Sequence, residues 1–484
     1  MHEPPAQGGR PGSGSIYARN AAWIVAGDAS ARVAAIVLFV VVARLLSPTE
    51  FSYFYFALVF VPLLLVPSSI GLNTVLVREI ARRPNEAASM FVSAFTSRSA
   101  LGVVALVAAV AVAPFFTDSG DALAVVVLVG AGLLLDELVA LTRTVFIAFD
   151  RAQLGALVTF ANRVVTTVLI VASAVAGGRV IAVSVAYLAG SALAATLALA
   201  LVRRHFFRLQ LSTWSRTVAT SLLVAGVPIG IANFLNTALL RADAVILQAI
   251  RGPVEVATYG IAYRFFESFL FVSWGVAAAT LPRLARASSV QEAMDALQHS
   301  FATVFLFYLP FAVTTPFAAE WIVTTVFSAK YEAAAGVAGV LAIATVWYAT
   351  AHVARTAAIA VGRTKLVAWV AAVALVVNLG ANVLLIPSYG FTAAAWMTLA
   401  TAFLEAVLLL ALVAASHRAM PRLGRIGVVP LAASGVLLIL LVLTGARGST
   451  AVLLAALVYP LLVVIAARAL DVSQLMMIWR RSGS

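Results

Sequence analysis

The chain has 484 residues, of which 63% are hydrophobic and only 11% charged, with a mean hydropathy of +1.05. A water-soluble domain of that length needs far more polar surface, so soluble enzymes and soluble binding modules are excluded. A net charge of +13 would suit nucleic acid in a soluble protein; in a chain this apolar it marks cytoplasmic loops, and no nucleic-acid partner is expected.

Residues 1–17 are polar, rich in Pro, Gly and Ser, and carry no cleavable signal pattern, so they read as a disordered cytoplasmic tail. Apolar runs of about 20 residues then recur to the end, the length that crosses a bilayer as a helix. They fall near 20–46, 53–77, 89–115, 122–149, 153–176, 180–202, 217–250, 256–281, 299–327, 335–361, 366–387, 391–416, 426–444 and 450–468. The fold class is an all-α polytopic membrane protein of about 14 transmembrane helices. The short alternating strands of a membrane barrel are absent. With no cysteine, neither a disulfide nor a thiolate metal site is available, and no metal site is expected.

Charge sets the orientation. With the N-terminus inside, 20 of the 32 lysines and arginines fall in cytoplasmic loops and tails, 4 outside and 8 within spans. That asymmetry predicts cytoplasmic N- and C-termini in the cell membrane. The longest internal loop, Arg203 to Arg216, mixes arginines with aromatics and reads as an interfacial segment. No loop is large enough for a soluble catalytic domain, and no G-x-x-x-x-G-K-[ST] phosphate loop occurs.

An internal repeat organises the spans. Arg143–Arg151 reads RTVFIAFDR and Arg355–Arg363 reads RTAAIAVGR, an offset of 212. Pro48 and Glu50 meet Pro253 and Glu255 at an offset of 205, as do Leu76 and Arg78 with Leu281 and Arg283. The offset covers six spans, an even number, so both copies enter the membrane from the same side. Two parallel six-helix bundles follow, with a cavity between them. The expected divisions are an N-terminal lobe over 18–208, a C-terminal lobe over 209–416, two additional helices over 417–470 and a cytoplasmic tail over 471–484.

The chain resembles the polysaccharide-export flippases of the multidrug/oligosaccharidyl-lipid/polysaccharide exporter superfamily. The resemblance rests on A-R-L-L-S-P-T-E-F at Ala43–Phe51, G-P-V-E-V-A-T-Y-G-I-A-Y-R at Gly252–Arg264 and V-F-S-A-K-Y-E-A-A at Val326–Ala334. It also rests on G-R-T-K at Gly362–Lys365 and N-x-x-x-N-x-x-L-I-P-x-Y-G at Asn378–Gly390, and covers residues 20–415. Ser52 and Thr392 depart from the family's usual small residues. The resemblance implies the V-shaped fold of that superfamily and transport rather than enzymatic chemistry. The implied cargo is a polyprenyl-pyrophosphate-linked oligosaccharide moved from inner to outer leaflet by alternating access. Polysaccharide polymerase or export proteins are the implied protein partners. A cation-coupled multidrug exporter and a lipid II-type murein precursor flippase are the alternatives. A membrane glycosyltransferase ranks lower, because the external loops offer little acidic chemistry beyond Asp118 and Asp121.

Ionisable side chains inside a span face a wet cavity or pair with one another. The cations are Arg32, Arg44, Arg98, Arg143, Arg163, Arg241, Arg264 and Arg355, against Asp28, Asp136, Glu137, Asp243, Glu267 and Glu405. The positive excess suits a pyrophosphate, which arginine grips through forked hydrogen bonds. Arg32 and Arg264 are the leading substrate-binding candidates, followed by Arg98, Arg163 and Arg241, with Arg143 and Arg355 nearer span ends. Structural pairing competes for each: Asp28 and Arg32 are i, i+4, and Arg264 and Glu267 are i, i+3. Asp28, Asp136 and Glu267 are the candidates for a coupling proton or sodium ion; no other cofactor is expected. Tyr259, Tyr263 and Trp274 could stack on sugars or anchor in the aromatic belt. Asn378 and Asn382, on one helical face, are expected to bond between helices, and His352 to pack.

Overall fold

The computed structural model describes residues 13–69, 71–419 and 424–470. Fourteen α-helices occupy them, and among the described residues there is no strand. They are α1 (Ser13–Leu45), α2 (Pro48–Ser69), α3 (Leu72–Arg82), α4 (Ala87–Val112), α5 (Gly120–Ala148), α6 (Ala152–Val175) and α7 (Val180–His205). Then follow α8 (Arg216–Arg251), α9 (Pro253–Arg286), α10 (Val290–Ile322), α11 (Ala335–Ala360), α12 (Thr364–His417), α13 (Gly424–Thr444) and α14 (Ser449–Ala469). Twelve helical stretches among the described residues are long and apolar enough to cross a membrane. One of them, α12, has 54 residues, about 80 Å at the helical rise and far more than one bilayer. It breaks at Gly390 (φ 54°, ψ −141°), three residues after Pro387, and so makes two crossings. With those two and α1, the fourteen spans of the sequence are accounted for.

The ends differ from the expected ones at three places. The span near 53–77 stops at Ser69, and Gly71 in the left-handed conformation (φ 62°) starts a separate helix. In α3 the apolar residues Leu72, Val75, Leu76 and Ile80 recur at helical spacing and are buried, while Arg78, Arg82 and Arg83 stay exposed around Glu79. Arg283 and Arg286 extend α9 rather than forming a loop, and α10 starts at Val290 instead of near 299, capped by Ser289 Oγ accepting Glu292 N–H at 3.2 Å.

The chain forms two compact units. One comprises residues 1–46 and 60–234; the other comprises 47–59 and 235–484. In the first, α6 packs on α1 and α7, and α5 packs on α7, α4 and α3. Close approach needs small side chains, since lipid supplies no hydrophobic drive between helices. At Gly190 of α7 a Cβ would come within 2.6 Å of the Thr166 backbone on α6. In the second unit α11 is the hub, packed on α9, α10 and α12. Its alanine-rich sequence lets three neighbours approach at once, and Ala349, Ala351, Ala354, Ala357 and Ala358 are fully buried. The last two helices pack on each other and on α10, where Tyr459 OH donates to Leu306 O at 3.0 Å.

The nonapeptide repeat has the same structure in both units. After α5, Arg151 N–H donates to Phe146 O at 2.8 Å and Asp150 is left-handed (φ 57°). After α11, Arg363 N–H donates to Ala358 O at 2.9 Å and Gly362 is left-handed (φ 77°). Both are Schellman closures, at equivalent positions of the two copies.

Candidate functional site

Five of the seven arginines singled out by the sequence are ion-paired within the spans: Arg98, Arg163, Arg241, Arg264 and Arg355. Arg32 on α1 and Arg143 on α5 are half-buried. Arg143 lies along Gly155, where a Cβ would meet its Cγ at 3.2 Å. The Asp28 side chain lies outside the described residues, so the Asp28–Arg32 pairing does too.

In the first unit the acids Asp136 and Glu137 are neighbours on α5. Successive helix positions point about 100° apart, so each serves a different cluster. Glu137 accepts from Arg98 of α4, which also donates to Asn73 Oδ1 of α3 at 2.7 Å. Arg98 is only 1% exposed. It ties three helices together from beneath, with little surface left for a ligand. Asp136 accepts Asn162 Nδ2 at 3.0 Å and Tyr187 OH at 2.8 Å, with Arg163 Nη1 at 3.6 Å. Arg163 keeps 41% of its side chain open.

In the second unit Arg241 of α8 and Arg264 of α9 both grip Glu267, at 2.9 and 2.6 Å. The i, i+3 pairing of Arg264 with Glu267 read from sequence is present; the additional grip by Arg241 crosses helices. Two cations share one carboxylate within the spans, so the triad carries one positive charge, with Asp243 the next acid near Arg241. About a quarter of each arginine side chain is open, 25% for Arg241 and 24% for Arg264. A charge open at that depth faces water rather than hydrocarbon. Arg355 pairs with Glu405, which is 1% exposed and whose Oε2 has no partner. His352 stacks on Tyr348 at 6.1 Å, in keeping with a packing role.

A further cluster escaped the sequence reading. Asp243 of α8, 1% exposed, accepts from Tyr259 OH, from Thr398 Oγ1 at 3.2 Å and from its neighbour's backbone, Ala244 N, at 2.7 Å. Among the described residues it has no cation within ion-pair distance. Its tyrosine partner is 16 positions away and its threonine partner 155 positions away, beyond any local pattern. One signal was readable: the i±3 and i±4 positions are Leu239, Leu240, Ile246 and Leu247, so no helical neighbour can neutralise it. Tyr259 and Tyr263 are buried, Tyr263 OH donating to Leu240 O at 2.8 Å. Neither is placed to stack on a sugar or to sit in an aromatic belt; both are spent on the helix interior, while Trp274 is exposed. Asn378 Nδ2 donates to Thr401 Oγ1 at 3.2 Å across the α12 break, and Asn382 Nδ2 to Asn378 Oδ1 at 3.0 Å.

Comparison with known proteins agrees with this helical architecture. A search of curated proteins finds no match. Among solved structures, "Lipid II flippase MurJ, inward closed conformation" is similar with a TM-score of 0.71 and 14% identity, over 93% of this chain and 99% of that one. An inward-facing multidrug resistance MATE family transporter is similar with a TM-score of 0.67 and 15% identity, over 80% of this chain and 94% of that one. A superfamily transporter from Pyrococcus furiosus, described by the reverse polarity of its binding pocket, gives a TM-score of 0.60 at 16% identity, over 83% and 95%. At such identities the likeness speaks for the fold. The MatE family pattern matches residues 228–384. The pattern described as "Polysaccharide biosynthesis protein" matches residues 17–288, more than half of the chain. This multi-pass membrane protein therefore belongs to the polysaccharide biosynthesis protein family, within the multidrug/oligosaccharidyl-lipid/polysaccharide exporter superfamily.

Proposed function

We propose that the chain is a flippase for a polyprenyl-pyrophosphate-linked oligosaccharide, moved from the inner to the outer leaflet of the cell membrane by alternating access. The observation that carries the reading is the Arg241–Glu267–Arg264 cluster. It is cationic, at span depth and partly open, which suits a pyrophosphate and opposes a cationic drug. Arg163 of the first unit, by itself, carries a further open guanidinium. Family membership supports a carbohydrate cargo, and the fold likeness to a lipid II flippase supports a lipid-borne one.

The ion that couples transport, if one does, binds best at Asp243. Asp136 and Glu267 are already held by arginines, so protonating either breaks an ion pair. Protonating Asp243 breaks no ion pair; it disturbs hydroxyl and backbone donors and a longer-range attraction to Arg241. The cluster's oxygens, from Asp243, Tyr259 and Thr398, are also a chemically suitable set for sodium.

The experiment is reconstitution in liposomes containing a polyprenyl-pyrophosphate oligosaccharide, with outer-leaflet appearance read by a sugar-binding lectin. Transport of that lipid, strongly reduced with Arg241→Gln or with Arg264→Gln, is the expected result. Efflux of cationic dyes without lipid transport would favour a multidrug exporter. Transport restricted to a murein precursor would move the reading to that cargo.

A further inference from the structure

The linker between α7 and α8 is a built feature. Ser89 Oγ of α4 donates to Thr213 O at 2.9 Å, and Ser215 N–H donates to Ser93 Oγ at 3.0 Å. Phe207 packs on Phe91 with ring centroids 5.8 Å apart, and Phe206 on Phe149 at 5.1 Å. Beneath this strap lies a hollow of about 150 Å³, lined by Phe91 and Phe95 of α4, Leu199 of α7, and Leu209 and Leu211 of the linker. The hollow is open on one side and mostly apolar, with Thr96 and Gln210 the polar residues of its lining, so it offers a surface to hydrocarbon.

Its lining lies one to two turns inside the start of α4 at Ala87 and the end of α7 at Arg203 and Arg204, on the order of 10 Å along those helices. At its rim Leu211 is 77% and Trp214 48% exposed. Around the rim Arg203, Arg204, Arg208 and Arg216 are exposed, and no carboxylate among the described residues lies within ion-pair distance of any of them. Apolar hollow, interfacial tryptophan and four unneutralised guanidiniums match one molecule class: a lipid with an acyl chain and an anionic head.

We propose that the α4–α7–linker hollow binds one chain of an anionic phospholipid, whose phosphate is held by Arg203, Arg204 and Arg208. The site is separate from the Arg241–Glu267–Arg264 cluster, so it stands or falls independently of the cargo. The bound lipid fastens the α7–α8 linker to the membrane interface.

Brominated lipids test this, because bromine quenches nearby tryptophan. The full chain is placed in nanodiscs carrying equal mole fractions of phosphatidylglycerol and phosphatidylcholine, with one of the two brominated in its acyl chains. The Trp214 signal is the difference between the wild type and Trp214→Phe. Brominated phosphatidylglycerol is expected to quench that signal at least about twofold more than brominated phosphatidylcholine. Arg203→Gln/Arg204→Gln/Arg208→Gln should abolish that excess quenching and weaken phosphatidylglycerol binding roughly tenfold or more in lipid titrations, given the attraction of each arginine for an anionic head. Leu199→Phe, which fills the hollow, should lower quenching to the phosphatidylcholine level; should that variant not fold, the arginine variant carries the test. Equal quenching by both lipids would reduce the site to ordinary annular contact and overturn the proposal. Displacement of brominated phosphatidylglycerol by a polyprenyl phosphate but not by unbrominated phosphatidylglycerol would overturn it as well.

Discussion

Glu255 accepts the backbone N–H of Phe391 at 3.0 Å, joining the first turn of α9 to the break in α12, 136 residues away. Arg251 completes the stitch, donating to Glu255 Oε1 at 2.7 Å and approaching Pro387 O at 3.5 Å. The break leaves backbone groups without their helical partners, and Arg251 and Glu255 serve two of them, the Pro387 carbonyl and the Phe391 N–H. Gly390 is required twice over: its backbone angles are open only to glycine, and a Cβ there would collide with the Glu255 carboxylate. We predict that Glu255→Ala destabilises the protein by about 1–3 kcal/mol. Gly390→Ala should cost at least as much, and thermal unfolding in detergent measures both. An unchanged midpoint for Gly390→Ala would show that the break does not depend on the stitch.

Arg98 gives a contrasting prediction. Its guanidinium is buried, while Glu137 is 38% exposed, so removing Arg98 leaves a carboxylate that is still partly open and Asn73 Oδ1 without its donor. Arg98→Ala should destabilise by roughly 1–3 kcal/mol. Arg98→Met combined with Glu137→Gln should recover most of that loss and retain transport. Failure of the double variant to transport, despite normal stability, would assign Arg98 to the cargo instead.

Arg241 and Arg264 should behave the opposite way. Arg241→Gln and Arg264→Gln each leave Glu267 with one arginine, so folding should persist. Transport of the lipid-linked sugar should fall roughly tenfold or more, the size of a lost charge-assisted hydrogen bond. The check is a transport rate normalised to folded protein from size-exclusion chromatography.

Asp243→Asn retains an acceptor for Tyr259 and Thr398, so its stability should stay within about 1 kcal/mol of the wild type. The prediction is that transport then ceases to respond to an imposed proton or sodium gradient. The same substitution at Asp136 should instead weaken the Arg163 contact and leave gradient dependence intact. A variant that still follows the gradient would remove Asp243 from the coupling step.

The legible parts of the sequence were those with local or periodic signals. Span number follows from run length, and the two Schellman closures follow from the repeated R-T-x-x-I-A-x-x-R, since Asp150 and Gly362 tolerate the left-handed turn. The Arg264–Glu267 pair was legible at i, i+3. What stayed hidden depended on distant packing. Glu50 and Glu255 occupy equivalent repeat positions yet do different work. Glu50 forms a capping box with Ser47, with 3.2 Å hydrogen bonds in both directions. Glu255 has Gly252 in place of the serine and turns to Phe391. Tyr259, which the sequence offers for sugar stacking or belt anchoring, is instead held by Asp243, and nothing near it in sequence announces that partner.

The most direct test of the central claim is the identity of the lipid that co-purifies with the protein, read by mass spectrometry. The wild type should carry a polyprenyl-pyrophosphate sugar that is largely lost from Arg241→Gln and from Arg264→Gln, each of which keeps one arginine on Glu267 and so the fold. The same sugar lipid retained undiminished by both variants, or no such lipid on the wild type from a strain that makes it, would contradict the assignment of the cationic cluster to the cargo.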